Sequence, residues 1–226
     1  MNARVQKTLL ASHRPVTLIG GGAVDPDDID LALRHAPDLV AADGGADIAM
    51  AAGHMPKLVV GDLDSVSQSA LDQMPPEAVF EMTDQDSTDF DKALSSISAP
   101  VVLAIGFGGA RLDHQLATLN ALIRLHDRPC ILITQDELVF SIPRIFSLKL
   151  EPGDVVSLFP LSRVSGRSKG LQWPIDGLVL APDGRVGTSN RATGEIQLRL
   201  DRTGLIGIIP RHALQPLMRA LAGKPL

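Results

Sequence analysis

Aspartates that follow short apolar runs are the residues of this chain best suited to chemistry. Asp62 and Asp64 come directly after the run Leu58–Val60, with one residue between them, and Asp43 follows an earlier run. Two carboxylates spaced in this way after a strand can converge on one hard cation. The set contains only oxygen ligands and no histidine, which favours Mg²⁺ or Mn²⁺ over zinc. The alternative is a turn followed by the cap of a helix that begins near Ser67.

A further acidic segment, residues 85–92, is predicted to open a helix. Asp86 and Asp89 are three positions apart and are suited to act as a capping pair. Asp89 also lies beside Thr88 and Lys92, which together would offer a hydroxyl and a cation to a phosphate. A salt bridge from Lys92 to Asp89 is the competing structural interpretation. Because Asp89 lies at a neighbouring exit of the predicted sheet, we expect it to join Asp43, Asp62 and Asp64 around the metal.

Glycine-rich segments add features that suit a phosphate-bearing ligand. Residues 20–22 are all glycine, although the dinucleotide-binding fingerprint would need a further glycine where Asp25 stands. The segment 106–109 precedes Arg111 and Asp113. Arginine offers a planar fork to phosphate oxygens, and a carboxylate can accept from a ribose, a base or a metal-bound water. Alternatively, Arg111 is a solvated charge and Asp113 an ordinary N-cap.

The elements that must position these residues form two regions. Apolar runs alternate with helix-like stretches up to residue 135, which is typical of βαβ units and a parallel sheet. Ligands bind at the carboxyl ends of strands in such sheets, where the aspartates and glycines lie. Beyond residue 135, short β-like runs are broken by Gly, Pro and Asp. We predict a Rossmann-like α/β domain over 1–135 and a smaller, β-sandwich-like domain over 136–226. The runs are Val16–Ile19, Leu39–Ala42, Leu58–Val60, Val79–Glu81, Val101–Ile105, Cys130–Ile133, Val155–Phe159, Leu178–Leu180, Ile196–Leu200 and Leu205–Ile209.

Composition excludes several classes of protein. The 226 residues are 45% hydrophobic, enough to bury a core, and the net charge of −5 gives no footprint for nucleic-acid binding. The single cysteine, Cys130, allows no disulfide within the chain, which fits a reducing cytosol. Neither a secretion signal nor an apolar run of membrane-spanning length is evident, so we expect a cytoplasmic protein.

Trp173 is the only tryptophan in a chain without tyrosine. A lone tryptophan usually belongs to a core, but it can also act as a stacking plate for a flat ring. Ser189 and Asn190 offer either a turn or hydrogen-bonding groups for a ligand.

Taken in order, these segments resemble the thiamine pyrophosphokinase family over about residues 16–205. The resemblance implies a homodimer with active sites shared between subunits and with Trp173 stacking on thiamine near Ser189 and Asn190. It also places Asp43, Asp62, Asp64 and Asp89 around Mg²⁺ and the phosphates, with Gln85, Thr88, Arg111 and Asp113 holding ATP or substrate. The motifs that carry it are Asp43-Gly44-Gly45, Gly61-Asp62-Leu63-Asp64-Ser65, Asp86-Ser87-Thr88-Asp89-Phe90-Asp91-Lys92, Gly108-Gly109-Ala110-Arg111-Leu112-Asp113-His114, Gly170-Leu171-Gln172-Trp173 and Ser189-Asn190.

The reaction implied is transfer of the diphosphate of ATP to the hydroxyl of thiamine. Catalysis would consist mainly of alignment and charge neutralisation, with Asp89 and Arg111 taking part, and either Asp64 or Asp89 orienting or deprotonating the hydroxyl. A magnesium-dependent phosphohydrolase is one alternative, because acidic loops also build two-metal hydrolases. A non-catalytic thiamine or nucleotide sensor on the same fold is another.

Overall fold

The structure is a computed structural model that describes residues 8–84, 86–109 and 111–223. The fold is mixed α/β, and the chain divides into two compact units between Ala121 and Leu122. The predicted boundary after residue 135 lies 14 residues later, so the strand that begins at Cys130 is part of the second unit. Within the described residues, no helix has both the length and the apolar character needed to cross a membrane.

Parallel strands form the centre of the first unit, as the alternating apolar runs predict. Strands β2 and β7 pair in parallel, and so do β3 with β4, β4 with β5, and the short pair β1 and β6. All residues of β2, β3, β4 and β7 are buried, which explains why these strands are mainly apolar, with Thr17 and Asp38 as buried polar exceptions. The strands are β1 (Leu10–Ala11), β2 (Val16–Ile19), β3 (Asp38–Ala42), β4 (Leu58–Gly61), β5 (Val79–Glu81), β6 (Ile97–Ser98) and β7 (Val102–Ile105).

Side-chain caps start three of the helices in this unit. Asp25 caps the first, with proline at its first position as predicted, Ser67 caps the third and Thr88 the fourth. The fifth differs from expectation, because Leu112 and Leu116 of its apolar stripe are exposed. The helices are α1 (Pro26–His35), α2 (Gly45–Ala51), α3 (Gln68–Gln73), α4 (Asp89–Ser96) and α5 (Leu112–Arg124), with a 3₁₀ turn at Pro76–Ala78.

Antiparallel strands make up most of the second unit. The long strand β14 pairs through its first half with β11 and through its second half with β10, while β12 runs beside it. Further antiparallel pairs join β11 to β15, β15 to β9, β9 to β8, and β12 to β13. The elements are β8 (Cys130–Ile133), β9 (Glu137–Ser141), β10 (Ile145–Lys149), β11 (Val155–Pro160), β12 (Val164–Leu171), β13 (Val179–Leu180), β14 (Gly187–Leu200), β15 (Leu205–Pro210), a 3₁₀ turn at Arg211–Ala213 and α6 (Leu214–Ala222).

Candidate active site

Three of the four predicted metal ligands come together at the carboxyl ends of β3 and β4. Carboxylate oxygens of Asp43, Asp62 and Asp64 lie within 4.8 Å of one another. Asp43 and Leu63 adopt left-handed backbone conformations, with φ of 46° and 64°, which residues with side chains rarely take. Such turns directly after two strands bring the carboxylates to one point and are typical of functional sites.

Asp43 is the most deeply placed carboxylate of this group, with only 6% of its surface exposed. Its Oδ1 has no hydrogen-bond partner among the described residues. Burial raises the pKa of Asp43, and the charge of Asp89 adds to the rise, although the Ser65 hydroxyl acts in the opposite direction. A buried carboxylate oxygen without a partner, close to two further carboxylates, fits a divalent cation well.

Lys92 ties Asp89 to this group. Its Nζ lies 3.1 Å from Asp89 Oδ1 and 3.5 Å from Asp62 Oδ2, and its side chain is only 2% exposed. Burial disfavours the ammonium, but the hydrogen bond and charge of Asp89, together with Asp62, outweigh it and raise the pKa of Lys92. The salt bridge considered for Lys92 is therefore present, and it extends to Asp62 as well.

The start of α4 uses a different capping pair from the one suggested by the sequence. Thr88 is the N-cap and forms a capping box with Asp91, in which each side chain accepts from the backbone N–H of the other residue. The Thr88 hydroxyl also donates to Asp91 Oδ2 at 3.0 Å. The backbone N–H of Asp86 instead donates to Asp84 Oδ1 at 3.2 Å. Gln85, predicted to hold ATP or substrate, lies outside the described residues.

Arg111 and Asp113 lie together at the first turn of α5. The guanidinium donates twice to the carboxylate, from Nη2 to Oδ2 at 2.7 Å and from Nε to Oδ1 at 3.2 Å. The hydrogen bond to Asp113 raises the pKa of Arg111, and that from Arg111 lowers the pKa of Asp113. Both side chains are about two-thirds exposed, so the carboxylate now occupies an accessible arginine fork of the kind that binds phosphate.

The acidic cluster is formed by Asp43, Asp62, Asp64 and Asp89. All of these except Asp64 line one cleft of 560 Å³ within the first unit, together with α5 and the glycine loops. The backbones of the glycine loops approach each other closely. A Cβ on Gly22 would lie 2.6 Å from the carbonyl oxygen of Gly106, and one on Gly106 would lie 2.5 Å from that of Gly20. The lining residues are Gly21, Gly22, Ala42, Asp43, Gly44, Ile48, Asp62, Ser65, Ser87, Thr88, Asp89, Phe90, Lys92, Gly106, Phe107, Gly108, Arg111, His114, Gln115 and Thr118.

Trp173, Ser189 and Asn190 lie in the second unit. Trp173 is 54% exposed and is therefore not a core residue. Oδ1 of the buried Asn190 side chain accepts from the backbone N–H of Trp173 at 3.1 Å, and its Nδ2 donates to the Trp173 carbonyl at 2.7 Å. Ser189 is exposed and has a positive φ of 60°. Asn190 thus holds the backbone of Trp173 and leaves the indole ring at the surface.

Sequence reasoning missed the depth of Lys92 and the aromatic wall of the cleft. The sequence predicts Lys92 either as a cation for a phosphate or as a salt-bridge partner of Asp89, but not its burial or its contact with Asp62. Phe107 lines the cleft and packs edge-on against Phe90, with ring centroids 4.7 Å apart. The sequence gives no sign of that pair, because Phe90 lies in α4 and Phe107 lies in the loop after β7.

Comparisons with known proteins agree with the two-part organisation. The model of the thiamin pyrophosphokinase catalytic domain matches residues 29–133, and that of the family's vitamin B1 binding domain matches residues 144–204. The predicted boundary after residue 135 falls between the two matches.

Individual relatives carry the same family name. Thiamine pyrophosphokinase 3 of Oryza sativa subsp. japonica is 30% identical over 185 residues, which are 74% of this chain and 61% of that protein. Thiamine pyrophosphokinase 1 of Arabidopsis thaliana is 28% identical over 186 residues, which are 73% of this chain and 62% of the relative. The alignments thus span about three-fifths of the length of these relatives.

Solved structures show the same fold. Thiamin pyrophosphokinase from Candida albicans aligns with a TM-score of 0.73 at 17% identity and covers 88% of this chain and 89% of that one. Thiamine pyrophosphokinase from Bacillus subtilis aligns with a TM-score of 0.70 at 20% identity and covers 87% of this chain and 99% of that one.

Proposed function

Because this chain belongs to the thiamin pyrophosphokinase family, we propose that it transfers the diphosphate of ATP to the hydroxyl of thiamine, giving thiamine diphosphate and AMP. The observation that carries the proposal is the acidic group at the strand ends. It combines a buried oxygen of Asp43, which has no partner among the described residues, with the carboxylates of Asp62 and Asp64, beside a cleft large enough for a nucleotide.

Asp43, Asp62, Asp64 and Asp89 would hold Mg²⁺, with Mn²⁺ as a substitute. A bound divalent ion supplies charge neutralisation for the diphosphate. Gln85 and Thr88 are proposed to contact ATP or substrate, the latter without giving up its role as helix cap.

When a nucleotide binds, the Arg111 guanidinium would release the Asp113 carboxylate and bind phosphate oxygens instead. Asp113 would then accept a hydrogen bond from the nucleotide. Because a lysine cannot reproduce a planar fork, Arg111→Lys should lower turnover about tenfold or more.

The bond changes follow from the substrates. The thiamine hydroxyl oxygen attacks the β-phosphorus, the bond from that phosphorus to the oxygen shared with the α-phosphate breaks, and AMP leaves. The hydroxyl proton passes to an aspartate, either Asp64 or Asp89. The protein's part is alignment and water exclusion.

We further propose that residues 136–226 form a β-sandwich-like, thiamine-binding and dimerisation domain of a cytoplasmic homodimer. The exposed indole of Trp173 supports this role, because a flat ring at the surface suits stacking on thiamine. Ser189 and Asn190 would border that ring.

One incubation tests the activity. Purified protein with ATP, thiamine and Mg²⁺ should yield AMP and thiamine diphosphate by mass spectrometry, and Asp64→Asn should yield neither. Release of free phosphate alone would identify a phosphohydrolase, and binding without turnover would identify a sensor.

A complementation experiment tests the shared site. Asp64→Asn and Trp173→Ala proteins should each be nearly inactive alone, and co-refolding should restore about a quarter of wild-type activity per chain for random pairing in a two-fold dimer. Mixed dimers that recover no activity would place both residues in the site of a single chain.

A further inference from the structure

Lys92 is a cation enclosed by the acidic cluster itself. Its side chain is 2% exposed, whereas those of Asp62 and Asp89 are 26% and 35% exposed. The ammonium is therefore more buried than the two carboxylates that it contacts, although Lys92 is one of the residues that line the cleft.

The contacts of Lys92 with two different elements also argue for a role within the cluster. Asp89 is the first residue of α4, and Asp62 follows β4. One ammonium thus links the start of a helix to the end of a strand. It donates one hydrogen bond to each carboxylate, to Oδ1 of Asp89 and to Oδ2 of Asp62. We propose that Lys92 is a positioning residue and built-in counter-cation, which holds these two aspartates together before a divalent ion arrives and weakens the binding of the free ion.

The direction of the expected effect follows from charge. Four carboxylates close together repel one another, and either Lys92 or a divalent ion can relieve that repulsion. The ammonium also repels a divalent ion bound to the same carboxylates, at short range and out of water, where charges interact strongly. Replacing Lys92 removes this repulsion, but it also leaves Asp62 and Asp89 less firmly positioned. We expect the loss of repulsion to be the larger effect, so the free ion should bind more tightly without Lys92.

Lys92→Met keeps the length and apolar stem of the side chain and removes its charge. The matched control is Lys57→Met, because Lys57 also pairs with a buried aspartate, Asp38, at 2.7 Å, but it does not line the cleft. Binding of Mn²⁺ to the full chain, without nucleotide, is measured by the electron paramagnetic resonance signal of the free ion. We expect Lys92→Met to bind Mn²⁺ about tenfold or more tightly than wild type, and Lys57→Met to match wild type.

Thermal unfolding gives a second measurement on the same proteins. In EDTA, Lys92→Met should unfold at a lower temperature than wild type, since Asp62 and Asp89 lose their counter-ion. Saturating Mn²⁺ should then raise its Tm by more than it raises that of wild type. A purely structural lysine would lower the Tm in EDTA without tightening Mn²⁺ binding.

The inference rests on the proposed metal site, and the outcomes separate the two. Wild type and Lys92→Met binding Mn²⁺ equally, or the variant binding more weakly, would overturn the role of Lys92 and leave the metal site standing. No binding by either protein would overturn both. If Lys92→Met does not fold, Lys92→Gln, which keeps polar atoms at the site, decides by the same binding measurement.

Discussion

The two ends of strand β3 carry buried aspartates with opposite environments. Asp38 begins the strand and Asp43 follows it, and they are 5% and 6% exposed. Asp38 accepts hydrogen bonds from Ser12 at 2.9 Å and from both Arg14 and Lys57 at 2.7 Å. Asp43 has one oxygen without a partner among the described residues. Burial alone therefore does not distinguish a structural carboxylate from the proposed metal ligand, whereas the set of partners does.

The pKa values of the two residues move in opposite directions. The hydrogen bond from Lys57 is the main cause that lowers the pKa of Asp38, and burial is the main cause that raises the pKa of Asp43. The ionised form of Asp38 thus stabilises the fold. The ionised form of Asp43 is disfavoured by burial, and a bound cation would favour it.

The largest expected effect is on catalysis at the second end. Asp43→Asn should lower turnover of ATP and thiamine about 100-fold or more, because it removes a buried charged ligand. Its Tm in EDTA should equal or exceed that of wild type, since the amide avoids burying a charge. A steady-state assay and a thermal melt check both results. A variant that keeps its activity but loses stability would make Asp43 a structural residue like Asp38.

The next largest expected effect is the loss of stability on substitution of Asp38, at the start of β3. Asp38→Asn should lower the free energy of unfolding by about 1–3 kcal/mol, because a buried carboxylate bound by two cations is replaced by a neutral amide. Turnover per folded molecule should stay at the wild-type value. Urea unfolding with a parallel assay measures both. Loss of activity without loss of stability would contradict the assignment.

The dependence of stability on pH sharpens the contrast. The pKa of Asp38 is lowered on folding, so its stabilisation is complete above the ordinary value of 3.8 and is lost as the pH falls through its folded value. The pKa of Asp43 is raised, so its ionised form opposes folding at neutral pH, and that penalty disappears on acidification. Without metal, the deficit of Asp38→Asn and any gain of Asp43→Asn should both shrink from pH 7 to pH 3. Chemical unfolding at several pH values in chelator measures this, and a deficit of Asp38→Asn that grows in acid would contradict it.

The smallest effects belong to the cations around Asp38. Arg14 and Lys57 are 63% and 52% exposed, so water screens each pair and partly replaces it. Arg14→Met and Lys57→Met should each cost about 1 kcal/mol or less. Both should cost less than Asp38→Asn in the same urea titration. An equal loss from either single variant would mean that one cation carries the interaction.

The positions of the strands and the meeting of three aspartates near the end of β3 could be predicted from the sequence. Runs such as Val16–Ile19 and Cys130–Ile133 match the strands residue for residue, because fully buried strands leave mainly apolar segments. Asp43, Asp62 and Asp64 meet as predicted, since parallel strands direct their carboxyl ends to one edge.

Long-range pairing could not be predicted. The partners of Asp38 lie 19 to 26 residues away in the chain, and no local pattern marks them. Thr88 with Asp91 and Asp86 with Asp89 have the same spacing, so only the structure identifies the pair that caps α4. On α5, Leu112 and Leu116 belong to a stripe with helical periodicity but are exposed. Periodicity identifies a helix face and does not say what covers it.

The lone exposed indole gives this protein a single optical reporter. Trp173 is the only tryptophan and the chain has no tyrosine, so its emission comes from one side chain, with six phenylalanines as the remaining aromatic residues. Since the ring is 54% exposed in the single chain while its backbone is held by Asn190, an unpaired chain should give a spectrum that already resembles that of an indole in water. Quenching would therefore signal a molecule arriving at the ring, and unfolding would need to be followed by circular dichroism instead.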